Sequence, residues 1–338
     1  MLTRTLLATA AIVATLATAN AETLRMGHIQ APGSPAAEGA KKFAELASQY
    51  SDGDLTIRVY PSAQLGDVRS LVGSVKTGAI DIAEGTFPLL ADIVPEYNVY
   101  NAGYYYESWP QLNAVMEADE FGRSWDEQLT ELSGIRVLGA FYYGSRNLTT
   151  NGLPAKSPAD LQGKKIRSVP NEMSLAVVRG LGAQPTPVPF SELFQALSQG
   201  VVDGQENPLP TIEAEKLYEV QDHLILTNHQ LITLPWIVNE RRFQALSEDN
   251  QDALLRAASE AAEWTSQQTV TAEDGLVDKL SEQGMQVVAA EDGLDLDSFR
   301  SSVQAEVEKT FEGKIWPAGL GQKVLEKARS AAMAEAGQ

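Results

Sequence analysis

The chain is predicted to be an α/β protein with a mostly parallel sheet, on three observations. Short β-branched runs alternate with helical stretches. That alternation occurs in two successive units of the same kind. Beyond them, Ser247 to Gly284 lacks proline and is rich in Ala, Glu, Gln and Leu, which predicts one or two unusually long helices, interrupted at most by Gly275.

In the first unit, Thr23–His28 reads as a strand followed by a turn over Ala31–Ser34. Pro35–Tyr50 is expected to be a helix with Ala40, Phe43, Ala44, Leu46 and Ala47 on one face. Leu55–Tyr60 alternates as a strand that Pro61 stops, Asp67–Thr77 is helical, and Ala79–Ala83 is a further short strand. In the second unit, Ile135–Phe141 is a strand, and Ser157–Asp160 opens a turn with a serine cap and proline at the first position. Lys165–Val169 is a strand halted by Pro170, and Asn171–Leu181 is a helix ended by Gly182. Ser191–Gln199 is a helix stopped by Gly200, with a strand at Val201–Asp203 after it.

At 338 residues, 43% hydrophobic and 21% charged, the chain has the length for two domains and a sizeable core. Residues 1–21 read as a secretory signal. Arg4 gives a positive start, Leu6–Ala17 is largely apolar, and Ala19-Asn20-Ala21 suits cleavage, so an exported chain beginning at Glu22 is expected. The apolar run is too short to span a bilayer, and no direct membrane insertion is expected once it is removed. The absence of cysteine removes disulfides, thiolate nucleophiles and cysteine metal sites. Without Arg4 the charge is 25 basic minus 45 acidic, or −20. Such a chain repels nucleic acid and anionic lipid, so any anion site must be a local basic cluster.

Enzyme signatures are absent. The chain has no Gly-x-Ser-x-Gly, His-Glu-x-x-His, Gly-x-x-x-x-Gly-Lys or Gly-x-Gly-x-x-Gly. No metal or cofactor is expected. Of the three histidines, His223 and His229 read as structural. His28, at the end of the first strand, is either a ligand contact or part of a turn.

Arg167 stands just before the proline that ends its strand, which would aim its guanidinium out of the strand's carboxyl end, where open α/β sheets bind ligands. The planar fork matches the two oxygens of a carboxylate, though pattern alone leaves a solvated surface arginine open.

The words around these positions resemble the solute-binding proteins of tripartite ATP-independent periplasmic (TRAP) transporters. Gly163-Lys-Lys-Ile-Arg-Ser-Val-Pro170 is similar to the family's Gly-x-Lys-[Ile/Leu]-Arg-x-Pro, with two residues before the proline in place of one. Tyr60-Pro-Ser-Ala-Gln-Leu-Gly-Asp67, Gly78-Ala-Ile-Asp81, Tyr143-Gly-Ser-Arg-Asn147, Val188-Pro-Phe-Ser191 and Asp203-Gly-Gln-Glu-Asn-Pro208 match further family words in order. So do Lys216-Leu-Tyr-Glu-Val-Gln221 and Leu226-Thr-Asn-His229. The segments Ala83–Pro88 and Asn101–Tyr106 depart from the usual member.

The resemblance implies a two-lobed periplasmic binding protein, type II-like, with crossing strands and a long helix shared by both lobes. The lobes are expected at 22–143 plus about 233–270, and at 144–232 plus about 271–338. It also implies that Arg167 grips a ligand carboxylate, that Arg146 and Asn207 assist, and that Phe190 packs on the ligand stem. Glu206 would orient an arginine, accept a ligand hydroxyl or remain a solvated turn carboxylate. Phe87, Tyr142, Tyr143 and Trp236 are cleft aromatics or core residues. As a group they suggest a ligand with apolar C–H faces, such as a sugar acid. The implied role is an extracytoplasmic subunit that hands an organic acid anion to small and large TRAP membrane subunits for import. Hexuronates and aldonates are the first expectation, then C4-dicarboxylates, 2-oxo acids and sulfonates. The competing readings are a secreted enzyme on acidic sugars using Glu84, Glu206 and His28, and a sensor subunit for a membrane kinase.

Overall fold

The computed structural model describes residues 21–336. All but the last residue of the segment read as a secretory signal therefore lies outside the described residues. Nine strands form one sheet: β1 (Glu22–Gly27), β2 (Leu55–Tyr60), β3 (Ile82–Glu84), β4 (Ile135–Thr150), β5 (Lys165–Ser168), β6 (Gln184–Pro187), β7 (Gly204–Pro208), β8 (His223–Asn239) and β9 (Gln286–Val288). Their order is β2-β1-β3-β8-β4-β7-β5-β6, with β9 on the far portion of β8.

Five of the eight strand pairings are parallel, as expected, but the centre of the sheet is antiparallel. The outer groups β2-β1-β3 and β7-β5-β6 are parallel, but β8 runs antiparallel to β3, and β4 runs antiparallel to both β8 and β7. The cause is the length of β4 and β8. Each passes from one α/β half into the other, so the halves are joined through an antiparallel centre. β4 continues well past Phe141, bent by register shifts at Val137/Gly139, Tyr142/Gly144 and Arg146/Leu148. Gly144 has φ 130°, and a Cβ there would lie 2.6 Å from Pro208 Cβ, so only glycine fits the middle shift.

The helix Pro35–Tyr50 forms as read, capped by Ser34, whose side chain accepts from the Ala37 N–H. Two strands begin later than the sequence suggests. After the left-handed cap at Gly78, the Ala79 and Ile80 N–H groups bond back to Ser74, so β3 starts at Ile82. Likewise the Val201 N–H closes onto Ala196, and β7 starts at Gly204.

The long-helix region divides as its glycine suggests. Glu248–Glu273 is one helix, Gly275 takes φ 76°, and Leu276–Glu282 follows. At about 1.5 Å per residue the first piece is roughly 39 Å long. It lies on the Pro35–Tyr50 helix and on β4, and reaches the Leu209–Ala214 helix of the other half. Its buried face is small (Ala253, Ala257, Ala258, Ala261, Ala262, Thr265), which permits this close approach. The tail assigned from 271 onward to the second lobe also divides. Leu296–Phe311 packs on Glu172–Gly180, whereas Leu320–Ala336 returns to Trp109–Met116 in the first half.

Candidate ligand-binding site

A cavity of about 520 Å³ lies where the two halves face each other. Its wall is built from the carboxyl ends of the parallel strands. Ile29–Pro32 follow β1, Ser62 and Ala63 follow β2, and Glu84 and Thr86 close β3; Val169–Asn171 follow β5, Pro189–Ser191 follow β6, and Asn207 stands on β7. This is the crevice that parallel α/β topology leaves open. The crossing strands supply Tyr143, Arg146, Gln230, Ile232 and Leu234.

Arg167 is 1% exposed yet lines this cavity. Its Nε donates to the Val188 carbonyl at 2.9 Å, and its Cζ lies 5.9 Å from the centroid of Phe190. Its Nη1 is buried without a hydrogen-bond partner. Burial lowers the guanidinium to about 10, so it remains charged at neutral pH. Beside it, the Glu172–Gly180 helix presents its N-terminus, capped by Asn171, with Asn171 and Ser174 on the cavity wall. Its free N–H groups and dipole favour an anion.

Arg146 and Asn207, sixty-one positions apart in sequence, meet because β4 pairs antiparallel with β7, Arg146 opposite Pro208 and Asn147 opposite Asn207. Arg146 pairs through Nε with a Glu206 carboxylate oxygen; its Nη2 donates to the other oxygen at 3.0 Å and to Asn207 Oδ1 at 3.1 Å. Burial alone would raise the Glu206 carboxyl, but Arg146 and His229 outweigh it and hold it at about 2. His229 Nε2 lies 3.3 Å from the same carboxylate and Nδ1 lies 2.8 Å from Thr227 Oγ1. The Asn207 amide donates to Gln205, which in turn donates to Thr149 at 3.0 Å. The paired Arg146 and Glu206 cancel, so Arg167 carries the uncompensated positive charge of this wall.

The opposite wall is polar, and the arginine on it, Arg69, is paired with Asp92 at 3.3 Å. Thr211 donates to Tyr143 at 2.7 Å, Tyr143 to Gln30 at 2.9 Å, and Gln30 to Glu84 Oε1 at 2.6 Å. Glu84 Oε2, Thr86 Oγ1 and Asn101 Oδ1 are buried without partners, and all three residues line the cavity.

The sequence profile described as bacterial extracellular solute-binding protein, family 7, matches residues 26–314. The chain belongs to that family. The sialic acid-binding periplasmic protein SiaP of Vibrio cholerae is 33% identical over 308 residues, covering 91% of this chain and 92% of that protein. A TRAP periplasmic solute-binding protein of Actinobacillus succinogenes, solved with L-galactonate bound, superposes with a TM-score of 0.86 at 27% identity, covering 91% of this chain and 100% of that one. One from Roseobacter denitrificans, also with L-galactonate, gives 0.83 at 30% identity, covering 89% and 98%. The TRAP resemblance drawn from the motifs is borne out, and the chain is a TRAP solute-binding protein for small acid ligands. Relatives in this family are named as periplasmic. Among the described residues no helix is long and apolar enough to cross a membrane.

Within this family 7 protein, the cavity brings together Arg167, Arg146, Asn207, Phe190 and Tyr143. Five other candidate residues fall elsewhere. Glu206 is 1% exposed and does not line the cavity; its charge is consumed in fixing Arg146. His28 is buried under the wall, its Nδ1 accepting from the Gln30 N–H at 3.2 Å, and burial followed by Lys41 lowers it to about 4. The side chains of Ile29 and Gln30 take the place expected for it. Phe87 packs in an aromatic core, 5.2 Å from Tyr97 and 4.9 Å from Tyr100 by ring centroid. Trp236 is fully buried between Phe43, at 4.8 Å, and Phe141, at 5.0 Å. Tyr142 stacks on Trp109 and donates to Glu273, away from the cavity.

Sequence reading did not place Gln30, Asn101 or the Asn171 cap at the site, although it began a helix at Asn171; it read His229 as structural, and in the fold that ring braces Glu206. An asparagine before a helical run was a visible capping signal for Asn171. Nothing in a single sequence marks Gln30 or Asn101, which reach the wall only through the fold.

Proposed function

We propose that the protein captures a sugar acid, an aldonate or hexuronate, between its two lobes and delivers it to the small and large TRAP membrane subunits for import. The observation that carries this is the buried Arg167 guanidinium with an unpartnered Nη1 at the cavity wall. A buried charged donor without an acceptor is costly, and a carboxylate supplies both the acceptor and the countercharge. Phe190 beside it offers a flat apolar face for the C–H side of a carbon chain. The unpartnered oxygens of Glu84, Thr86 and Asn101 accept hydrogen bonds, so they suit hydroxyl donors at the rest of the ligand. Two relatives solved with L-galactonate support the same class.

In this reading Arg167, Arg146, Asn207, Phe190 and Tyr143 contact ligand, while Glu206 and His229 hold Arg146 in place. Closure is favoured because the ligand binds both walls only in the closed form. The lobes meet at 143/144 and 232/233. The register shift in β4 between Tyr142 and Gly144, opposite Thr233 and Ile232 of β8, supports that boundary. The enzyme reading is less well supported, because Glu206 is held ionised by Arg146 and is not free to donate a proton.

Thermal-shift screening of the mature protein against organic acids tests the proposal, since a ligand that binds the native state raises Tm. Aldonates and hexuronates are expected to give the largest shifts. Shifts confined to C4-dicarboxylates, 2-oxo acids or sulfonates refute the sugar-acid assignment.

A further inference from the structure

Glu84 is an acid on the wall of an anion site, which calls for an explanation. It closes β3, is 2% exposed, and lines the cavity. Its Oε1 accepts from Gln30 at 2.6 Å, its Oε2 has no partner, and among the described residues it forms no ion pair. Asn101 Oδ1 and Thr86 Oγ1, on residues lining the same cavity, are likewise unpartnered. Two of these three orphan atoms can only accept, and a carboxylate is also acceptor-only. A second ligand carboxylate here would meet oxygens, whereas a hydroxyl would meet partners.

We propose that Glu84 is the residue by which the site selects sugar acids carrying a single carboxylate and rejects those with a carboxylate at each end. This rests on the solute-binding reading above and names the substrate class of that site. With Arg146 neutralised by Glu206 and Arg69 paired with Asp92, the walls offer one uncompensated cation among the described residues, Arg167, for one anion. An aldonate satisfies both walls, its carboxylate at Arg167 and its hydroxyls donating to Glu84 and Asn101. An aldarate of the same length brings a second negative charge against Glu84.

Burial raises the Glu84 carboxyl to about 7. The terminally oxidised acid can therefore enter only by driving one proton from solvent onto Glu84, and its binding weakens as pH rises through that value. The groups around Glu84 do not duplicate this behaviour between pH 6 and 8. His28, under the same turn, is held at about 4 by burial and by Lys41, and stays neutral. Burial pushes Tyr143 on β4 upward, and it stays protonated. Arg146 is committed to Glu206, and Arg167 remains charged. On the rest of the wall, hydrogen bonds from Ser70 hold Asp67 down, and Arg69 pairs with Asp92. Glu215 is the exception, being raised by burial, and it provides the control.

The experiment is calorimetric titration of the mature protein at pH 6 and pH 8 with two pairs of acids: L-galactonate with galactarate, and D-gluconate with D-glucarate. Parent, Glu84→Gln and Glu215→Gln proteins are compared. For the parent, the monocarboxylate Kd is expected to change less than about threefold between the two pH values, while the dicarboxylate Kd rises roughly tenfold, as linkage to one proton with a pKa of about 7 requires. At pH 8 the dicarboxylate is expected to bind at least about tenfold more weakly than its partner. Glu84→Gln should remove the pH dependence and most of the discrimination, and Glu215→Gln should keep both. Equal binding of both members of a pair at pH 8, or parent-like discrimination in Glu84→Gln, overturns the assignment of Glu84 and leaves the solute-binding reading standing. Failure of all four acids to bind refutes the sugar-acid reading itself.

Discussion

Replacing Arg167 by methionine keeps most of the side chain's length against Phe190 while removing its charge and every donor. Two consequences of opposite sign follow. A carboxylate paired with this guanidinium makes two charge-assisted hydrogen bonds, roughly 1.5–3 kcal/mol each, so at least about 3 kcal/mol of binding is lost. That corresponds to at least about a hundredfold in Kd. The ligand-free protein responds the other way. Its guanidinium is desolvated and lacks a countercharge, and the fall to about 10 corresponds to roughly 3 kcal/mol of destabilisation at neutral pH. Methionine relieves that cost, partly offset by the loss of the bond to the Val188 carbonyl. The ligand-free Tm is therefore expected to hold or rise as affinity collapses. Titration calorimetry with the acid giving the largest thermal shift, alongside calorimetric unfolding without ligand, reads both numbers. A Kd within threefold of the parent refutes Arg167 as the carboxylate's partner. A clear fall in ligand-free Tm refutes the reasoning that its charge is held at a cost.

Glu206→Gln breaks a buried ion pair and is expected to cost about 3 kcal/mol of stability at pH 7, because it leaves Arg146 buried without its countercharge. The folded carboxyl lies below its ordinary value, so its stabilisation is present above pH 4.5 and lost as pH falls toward 2. The Tm gap between parent and variant should accordingly shrink over that interval in acid unfolding. Phe190→Ala and Trp236→Phe separate cavity wall from core. The first is expected to weaken sugar-acid binding several-fold with little change in Tm, because Phe190 is only partly buried. The second should lower stability by about 1–3 kcal/mol with unchanged Kd, since Trp236 touches only the core under the sheet. Gly144→Ala places a Cβ against Pro208 at a φ that disfavours L side chains, and should cost more than about 1 kcal/mol in denaturant unfolding.

Much of the scaffold was legible because its signals are local. Ser34-Pro35 is a local helix-start signal, Pro61 and Pro170 end strands, and Gly275 breaks a long alanine-rich helix. Position 167 was legible for a similar reason: an arginine at the end of a strand before a proline must emerge at the sheet's carboxyl edge. The antiparallel centre was not legible. The seventeen residues of β8 carry no alternation, since both faces are buried, and a strand buried on both faces does not disclose its partners or direction. The same limit applies to the aromatics. Phe87, Trp236 and Tyr143 read alike as cleft aromatics or core residues, and the fold buries the first two among other rings and leaves the third on the cavity wall.

The sequence by itself determined the α/β class, the family and the arginine that lines the cavity, because each is written in short local words. Only the tertiary structure decided which acids and amides share the cavity with it. Glu206 became the anchor of Arg146, and Glu84 became an open acceptor, through strand pairings that join residues 54 to 156 positions apart. Burial then set their charges. A carboxyl beside a guanidinium is held low and one buried without a cation is raised, and no reading of neighbours along the chain distinguishes the two.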